Sequence, residues 1–130
     1  MKDKKKELIL LDSSAVLNDF NFEFDSEKGY YTTSKVFGEF RDLRSRALVD
    51  NALKMETLKI VDACPLSVQN TMKEIGRTRL SDADISIAAL ARDFKKKNEI
   101  FLVITDDFSL QAALKKIGIK FKGVFRGSIK

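Results

Sequence analysis

Glu7-Leu8-Ile9-Leu10-Leu11-Asp12-Ser13-Ser14 decides the fold. The apolar run is too short for a helix and lacks the alternation of a half-exposed strand. It reads instead as a short strand, residues 7–11, buried on both faces as in a parallel sheet. The run stops at an acid followed by two serines, the composition of a helix N-terminus. Open α/β sheets bind their ligands at the C-terminal ends of strands, so Asp12 is either a helix cap or part of a site.

The same placement recurs further along the chain. Glu39 follows Val36-Phe37-Gly38, Asp84 follows Leu80-Ser81-Asp82-Ala83, and Asp106 follows Val103-Ile104-Thr105. Each stands at a strand end or near a helix start among apolar neighbours, in a chain of net charge +5. Carboxylates brought together raise one another's pKa unless a cation lies between them. Ligand sets made only of oxygen select hard divalent ions, so the pattern points to Mg²⁺ or Mn²⁺.

Each acid also has a plain structural explanation. Asp12 suits an N-cap, and Ser81-Asp82-Ala83-Asp84 resembles a capping box. Glu39 falls on the rim of an apolar stripe formed by Val36, Phe40, Leu43 and Ala47, where it is either snorkelling or bound to something; Gly38 beside it would allow a close approach. Asp84 shares its helix face with Ile87, Ala88 and Ala91, whereas Asp82 lies with Ser86 and Asp93. A charge on an apolar face needs a partner, so Asp84 is the ligand candidate. Of Asp106 and Asp107, alternation lets at most one point fully into the site, and Asp106 is nearer the strand end.

Further strands are expected at 57–62, 100–105, 119–121 and 124–125, with helices over 13–19, 35–54, 65–76, 82–97 and 108–117. Residues 20–33 read as an irregular aromatic connection. Pro65 opens one helix, Ser81 caps the next, and Gly118 closes the last. Strand and helix alternate, which predicts an α/β fold with a central parallel sheet of four or five strands flanked by helices. Without linkers or repeats, residues 1–130 are expected to form a single domain.

The chain has one cysteine and no histidine, which excludes an internal disulfide and argues against zinc, Cys–His and Ser–His–Asp chemistry. No apolar run approaches a membrane span, and the basic start leaves no room for a signal sequence, so a cytoplasmic protein is expected. Lys and Arg number 24 against 19 acids. An acidic centre in a basic chain suits a polyanion whose flanking phosphates are held by side chains such as Arg41, Arg44, Arg77 and Arg79. From composition alone DNA, RNA and nucleotides stay open.

With these residues in view, the chain resembles the PIN-domain ribonucleases. The likeness rests on Leu11-Asp12-Ser13-Ser14, Val36-Phe37-Gly38-Glu39, Leu80-Ser81-Asp82-Ala83-Asp84-Ile85 and Ile104-Thr105-Asp106-Asp107-Phe108-Ser109-Leu110-Gln111, in that order. It implies a three-layer PIN-like fold and a Mg²⁺- or Mn²⁺-dependent endoribonuclease acting on single-stranded RNA. Asp12, Glu39, Asp84 and Asp106 would be its catalytic metal ligands, and Ser13, Thr105 and Asp107 would stand behind them. Tyr30-Tyr31-Thr32-Thr33 and Thr-Asp-Asp-Phe-Ser-Leu-Gln look most like the branch that matures the 3′ end of small-subunit rRNA, here without that branch's zinc ribbon. A ribosomal pre-subunit would then be the partner. The alternatives are a VapC-type toxin paired with an antitoxin, and a silent PIN module that binds RNA or protein as a scaffold; a dimer is compatible with either.

Overall fold

The computed structural model describes residues 6–76 and 80–123. In chain order the elements are β1 (Glu7–Leu11), α1 (Ser13–Leu17), β2 (Lys28–Thr32), α2 (Ser34–Phe37), α3 (Leu43–Lys54), β3 (Leu58–Ile60), α4 (Pro65–Ile75), α5 (Asp82–Lys96), β4 (Phe101–Ile104), α6 (Phe108–Lys116) and β5 (Phe121–Lys122). The strands form one five-stranded sheet in the order β3-β2-β1-β4-β5, with every neighbouring pair parallel. Ile9, Leu10 and Leu11 of β1 are all buried. Successive strand residues face opposite ways, so both faces of the central strand are covered, as its apolar run requires.

From β1 the chain winds outward through β2 and β3, then crosses back to lay β4 on the other side of β1, followed by β5. Open α/β sheets bind their ligands beyond the C-terminal strand ends at such a reversal, here those of β1 and β4. Helix α5 crosses the middle of the fold. It packs against β1 and against α2, α4 and α6, and its Ala83, Ile87, Ala88, Ala89, Leu90 and Ala91 are buried. Its sequence is rich in alanine on that side, and the small side chains let these neighbours approach closely.

Three expectations are corrected. The stretch 20–33 contains β2, which pairs with β1 from Glu7↔Lys28 to Leu10↔Tyr31. Phe22, Phe24 and Tyr30 pack edge to face, with ring centroids 4.8–6.4 Å apart. This aromatic knot lies partly outside the strand, so its spacing carries no strand period.

The single helix expected over 35–54 is two helices. Thr33 caps α2, which stops at Phe37 with Gly38 as its C-cap. Asp42 then starts α3 by accepting from the Ser45 amide and hydroxyl. The apolar stripe runs through Val36 and Phe40, both buried, and fails at Leu43, which is 91% exposed. The cap at Asp42 restarts the helix in a new phase that buries Ser45, Val49 and Ala52 instead. Gly38 has no close neighbour beyond its own helix turn, so no close approach explains it.

The third correction concerns α5, where Ser86, expected on the polar side with Asp82, is buried. Its hydroxyl donates to the Ala83 carbonyl at 2.6 Å and so accepts from Thr33 at 2.7 Å. The connector through Arg77 and Arg79 and the strand expected at 124–125 lie outside the described residues. No described helix is long and apolar enough to cross a membrane.

The buried Thr32 hydroxyl donates to the Leu11 carbonyl at 2.8 Å and ties the end of β2 to the end of β1. Thr32→Val keeps the shape and removes the donor. It is expected to lower the unfolding free energy in urea by about 1–3 kcal/mol; an unchanged midpoint would show that the carbonyl finds another partner.

Candidate active site

Asp12 stands one residue beyond β1, and Thr105 one residue beyond β4. Leu11 and Ile104 are register partners, and the Asp12 amide donates to the Ile104 carbonyl at 3.1 Å. Two side chains from neighbouring strand ends are thereby fixed beside each other. Asp12 occupies the N-cap position of α1 but makes no side-chain cap bond to it. Its Oδ2 accepts from the Thr105 hydroxyl at 2.7 Å and the Ser14 hydroxyl at 2.8 Å.

Those hydroxyls are themselves held from behind. Ser14 Oγ accepts from the Asp106 amide at 2.8 Å, and Thr105 Oγ1 accepts from the Asp107 amide at 3.0 Å. A hydroxyl has one proton to give. Both protons go to Asp12, so the 3.2 Å approach between Ser14 Oγ and Thr105 Oγ1 is a contact of oxygens, not a further bond. The other carboxylate oxygen, Asp12 Oδ1, is buried and has no protein partner.

Electrostatics follow from this enclosure. Burial raises the Asp12 carboxyl above its ordinary value. Hydrogen bonds from Thr105, Ser14 and the Ser13 amide pull it back, and the charge of Asp107 pushes it up. Asp84, in the first turn of α5, is nearly buried, whereas Asp82 is exposed. Asp84 completes a capping box: its amide donates to Ser81 Oγ at 3.1 Å, and its Oδ2 accepts from the Ser81 amide at 3.3 Å. Even so, burial and the charges of Asp107 and Asp12 push it up to about 6, against the pull of the Ser81 bonds.

The placement of the last two acids differs in emphasis from the expectation. Regular strand geometry ends at Ile104, so alternation no longer governs Asp106 and Asp107. Asp107 caps α6, accepting from the Ser109 and Leu110 amides at 2.8 and 3.2 Å, and its charge is the one that bears on both Asp12 and Asp84. The Asp106 carboxylate stands toward Gly123, where an added Cβ would fall 2.8 Å from its Oδ1.

Glu39 lies in the link between α2 and α3, not inside a long helix, and Ser13 Oγ donates to its Oε1 at 2.6 Å. The residue after Asp12 thus tethers the acid contributed by a distant segment. Ser14 was not among the residues singled out from the sequence, although an Asp-x-Ser spacing is the one that lets a hydroxyl fold back onto a carboxylate.

The convergence is pairwise: among the described residues no group of three acids, histidines or cysteines is tight enough to hold one ion as the side chains stand. The donor set nonetheless suits a hard divalent cation. It consists of carboxylate oxygens, one of them buried without a partner, beside two acids whose charges oppose ionisation.

The arginines divide. Arg41 is exposed and donates through Nε to the Gly38 carbonyl at 3.2 Å, next to Glu39. Arg44 donates to the Val16 and Asp19 carbonyls at 2.9 and 3.5 Å and lies 4.9 Å from the Phe20 ring centre, closing off α1. Arg77 and Arg79 lie outside the described residues.

Residues 9–94 match the family model described as the PIN domain of ribonuclease. The chain belongs to the PIN-domain family. This PIN domain is 35% identical over 125 residues to Endoribonuclease Nob1 of Methanothermobacter thermautotrophicus, covering 93% of the chain and 71% of that protein. Endoribonuclease Nob1 of Pyrococcus abyssi is 30% identical over 123 residues, 92% of the chain and 70% of its own length. Ribonuclease VapC3 of Aeropyrum pernix is 29% identical over 92 residues, 68% of the chain and 66% of its own length. Every described acid of the site except Asp106 and Asp107 falls inside the matched family segment.

Asp84 makes the metal-free PIN domain sensitive to pH. Its folded pKa of about 6 lies above the ordinary value of 3.8. Between those values the folded state keeps a proton that the unfolded state has released. This contribution to stability is therefore present at low pH and is lost as pH rises through about 6. With chelator present, thermal unfolding of the parent should shift downward from pH 4.5 to 7.5 relative to Asp84→Asn, which retains an acceptor for the Ser81 amide. Parallel pH curves for the two proteins would show that Asp84 ionises without hindrance.

Proposed function

We propose that the chain is a Mg²⁺- or Mn²⁺-dependent endoribonuclease that cuts single-stranded RNA, acting in the maturation of ribosomal RNA, with a pre-ribosomal subunit as partner. The observation that carries this reading is the buried Asp12 carboxylate, with one oxygen saturated by two hydroxyls and the other without a protein partner, flanked by Asp84 and the charge of Asp107. The likeness to two archaeal endoribonucleases over most of the chain supports it.

Asp12, Glu39, Asp84 and Asp106 would hold the ion, and Asp107, whose charge bears on Asp12 and Asp84, would stand behind them. A bound divalent ion lowers the pKa of a coordinated water and stabilises charge on a phosphate undergoing attack. The protein's own part is positioning. Thr105 and Ser14 lock the rotamer of Asp12, and Ser13 holds Glu39 within reach of the same sheet edge. Asp107 fixes the start of α6 while presenting its charge to Asp12 and Asp84. Arg41, exposed beside Glu39, would hold a flanking phosphate, and Arg77 and Arg79 remain candidates for the same task. Arg44 is already engaged with backbone carbonyls, which leaves it a mainly structural duty. A toxin-type ribonuclease held by an antitoxin is the second reading, favoured by the likeness to VapC3.

The test is cleavage of a labelled single-stranded RNA. The parent should cut in Mn²⁺ or Mg²⁺ and stop on chelation. Asp12→Asn and Asp84→Asn should each lose activity at least ~100-fold while staying folded, and Asp82→Ala should cut like the parent. Cleavage that survives chelation, or an active Asp12→Asn protein, would contradict the reading.

A further inference from the structure

Phe108 is the first residue of α6 and directly follows Asp107. Its side chain is 82% exposed, although α6 has buried positions to offer and fills them with Leu110, Ala113 and Leu114. Single exposed apolar residues are ordinary on protein surfaces and need no explanation by themselves. Position sets this one apart. Ile100, which is similarly exposed, stands just before β4, at the opposite end of the strand from the acids. Phe108 adjoins the acid whose charge reaches both Asp12 and Asp84.

The backbone beneath the ring is firmly held. Asp107 accepts from the Ser109 and Leu110 amides, its own amide donates to Thr105 Oγ1, and its carbonyl accepts from the Gln111 amide at 2.9 Å. Gln111 Nε2 in turn donates to the Thr105 carbonyl at 2.8 Å. A flat apolar ring on a rigid turn, open to solvent and next in sequence to Asp107, offers its face to another flat ring. Every nucleobase offers such a face, so stacking tolerates any sequence while fixing where the backbone lies.

We propose that Phe108 is a stacking platform for a base adjoining the phosphate that is cut, and so sets the register of single-stranded RNA across the site. This deepens the endoribonuclease reading and rests on it for the location of the scissile phosphate. The residue would act in binding and positioning, not in the chemistry. Stacking of one base on one aromatic ring corresponds to roughly 5- to 150-fold in affinity.

The chain contains no tryptophan, so Phe108→Trp introduces a single indole. Made in the Asp12→Asn background with Mg²⁺ present, it should lose fluorescence as a single-stranded RNA oligonucleotide is added. The quenching should disappear when one position of the oligonucleotide is made abasic and persist for abasic sites elsewhere. In parallel, affinity for the RNA should follow Phe108 ≈ Phe108→Tyr, with Phe108→Leu weaker by roughly 5-fold or more. Leucine keeps the apolar bulk and loses the ring, which separates stacking from a general apolar or protein-binding patch.

An indole unmoved by saturating RNA, or a leucine variant that binds like the parent, would overturn the platform while leaving parent cleavage intact. Quenching together with a parent that cuts no RNA in Mn²⁺ would instead sink the nuclease reading and with it the register role, leaving Phe108 as a base-stacking residue alone.

Discussion

The hydrogen bonds from Thr105 and Ser14 onto one oxygen of Asp12 are the constraint on which the rest of the site depends. They join the ends of two parallel strands that neighbour each other only because the chain reverses its winding between β1 and β4. They also consume the hydroxyl protons, so the opposite carboxylate oxygen is left buried with nothing of the protein to pair with. A fold that only needed a helix cap would turn this carboxylate to the amides of α1. Here α1 goes without a side-chain cap bond, and the carboxylate accepts from the Thr105 and Ser14 hydroxyls instead.

Around that fixed point the remaining acids arrive by different local means. Asp84 is carried by the capping box of α5, the helix most central to the packing, and Asp107 by the cap of α6. Glu39 depends on the break between α2 and α3 and on its bond from Ser13. For two of the acids the cap geometry that stabilises each helix also sets a charge near Asp12. The cost is visible in the raised pKa of Asp84, where burial and neighbouring charge outweigh the hydrogen bonds from Ser81.

Much of this was legible because it is local. A short apolar run announced β1, Pro65 and Ser81 announced α4 and α5, and the face of α5 separated buried Asp84 from exposed Asp82. What escaped was non-local or competitive. β2 hid behind Phe22, Phe24 and Tyr30, whose packing is tertiary and has no strand period. The helix break was masked because Val36 and Phe40 keep the expected spacing up to the point where the Asp42 cap resets the phase. The hold of the Asp106 amide on Ser14 and the reach of Asp107 depend on which strand ends become neighbours, and strand order is not written in any one segment.

The most direct test of the account is the binding of Mn²⁺ itself, read from the resonance of the free ion as protein is added, with no RNA and no turnover involved. The expected result is that the parent and Asp82→Ala remove Mn²⁺ from solution alike, while Asp12→Asn and Asp84→Asn, both still folded, leave most of it free. Equal uptake by all four proteins, or none by the parent, would contradict the claim that the partnerless oxygen of Asp12 belongs to a cation site.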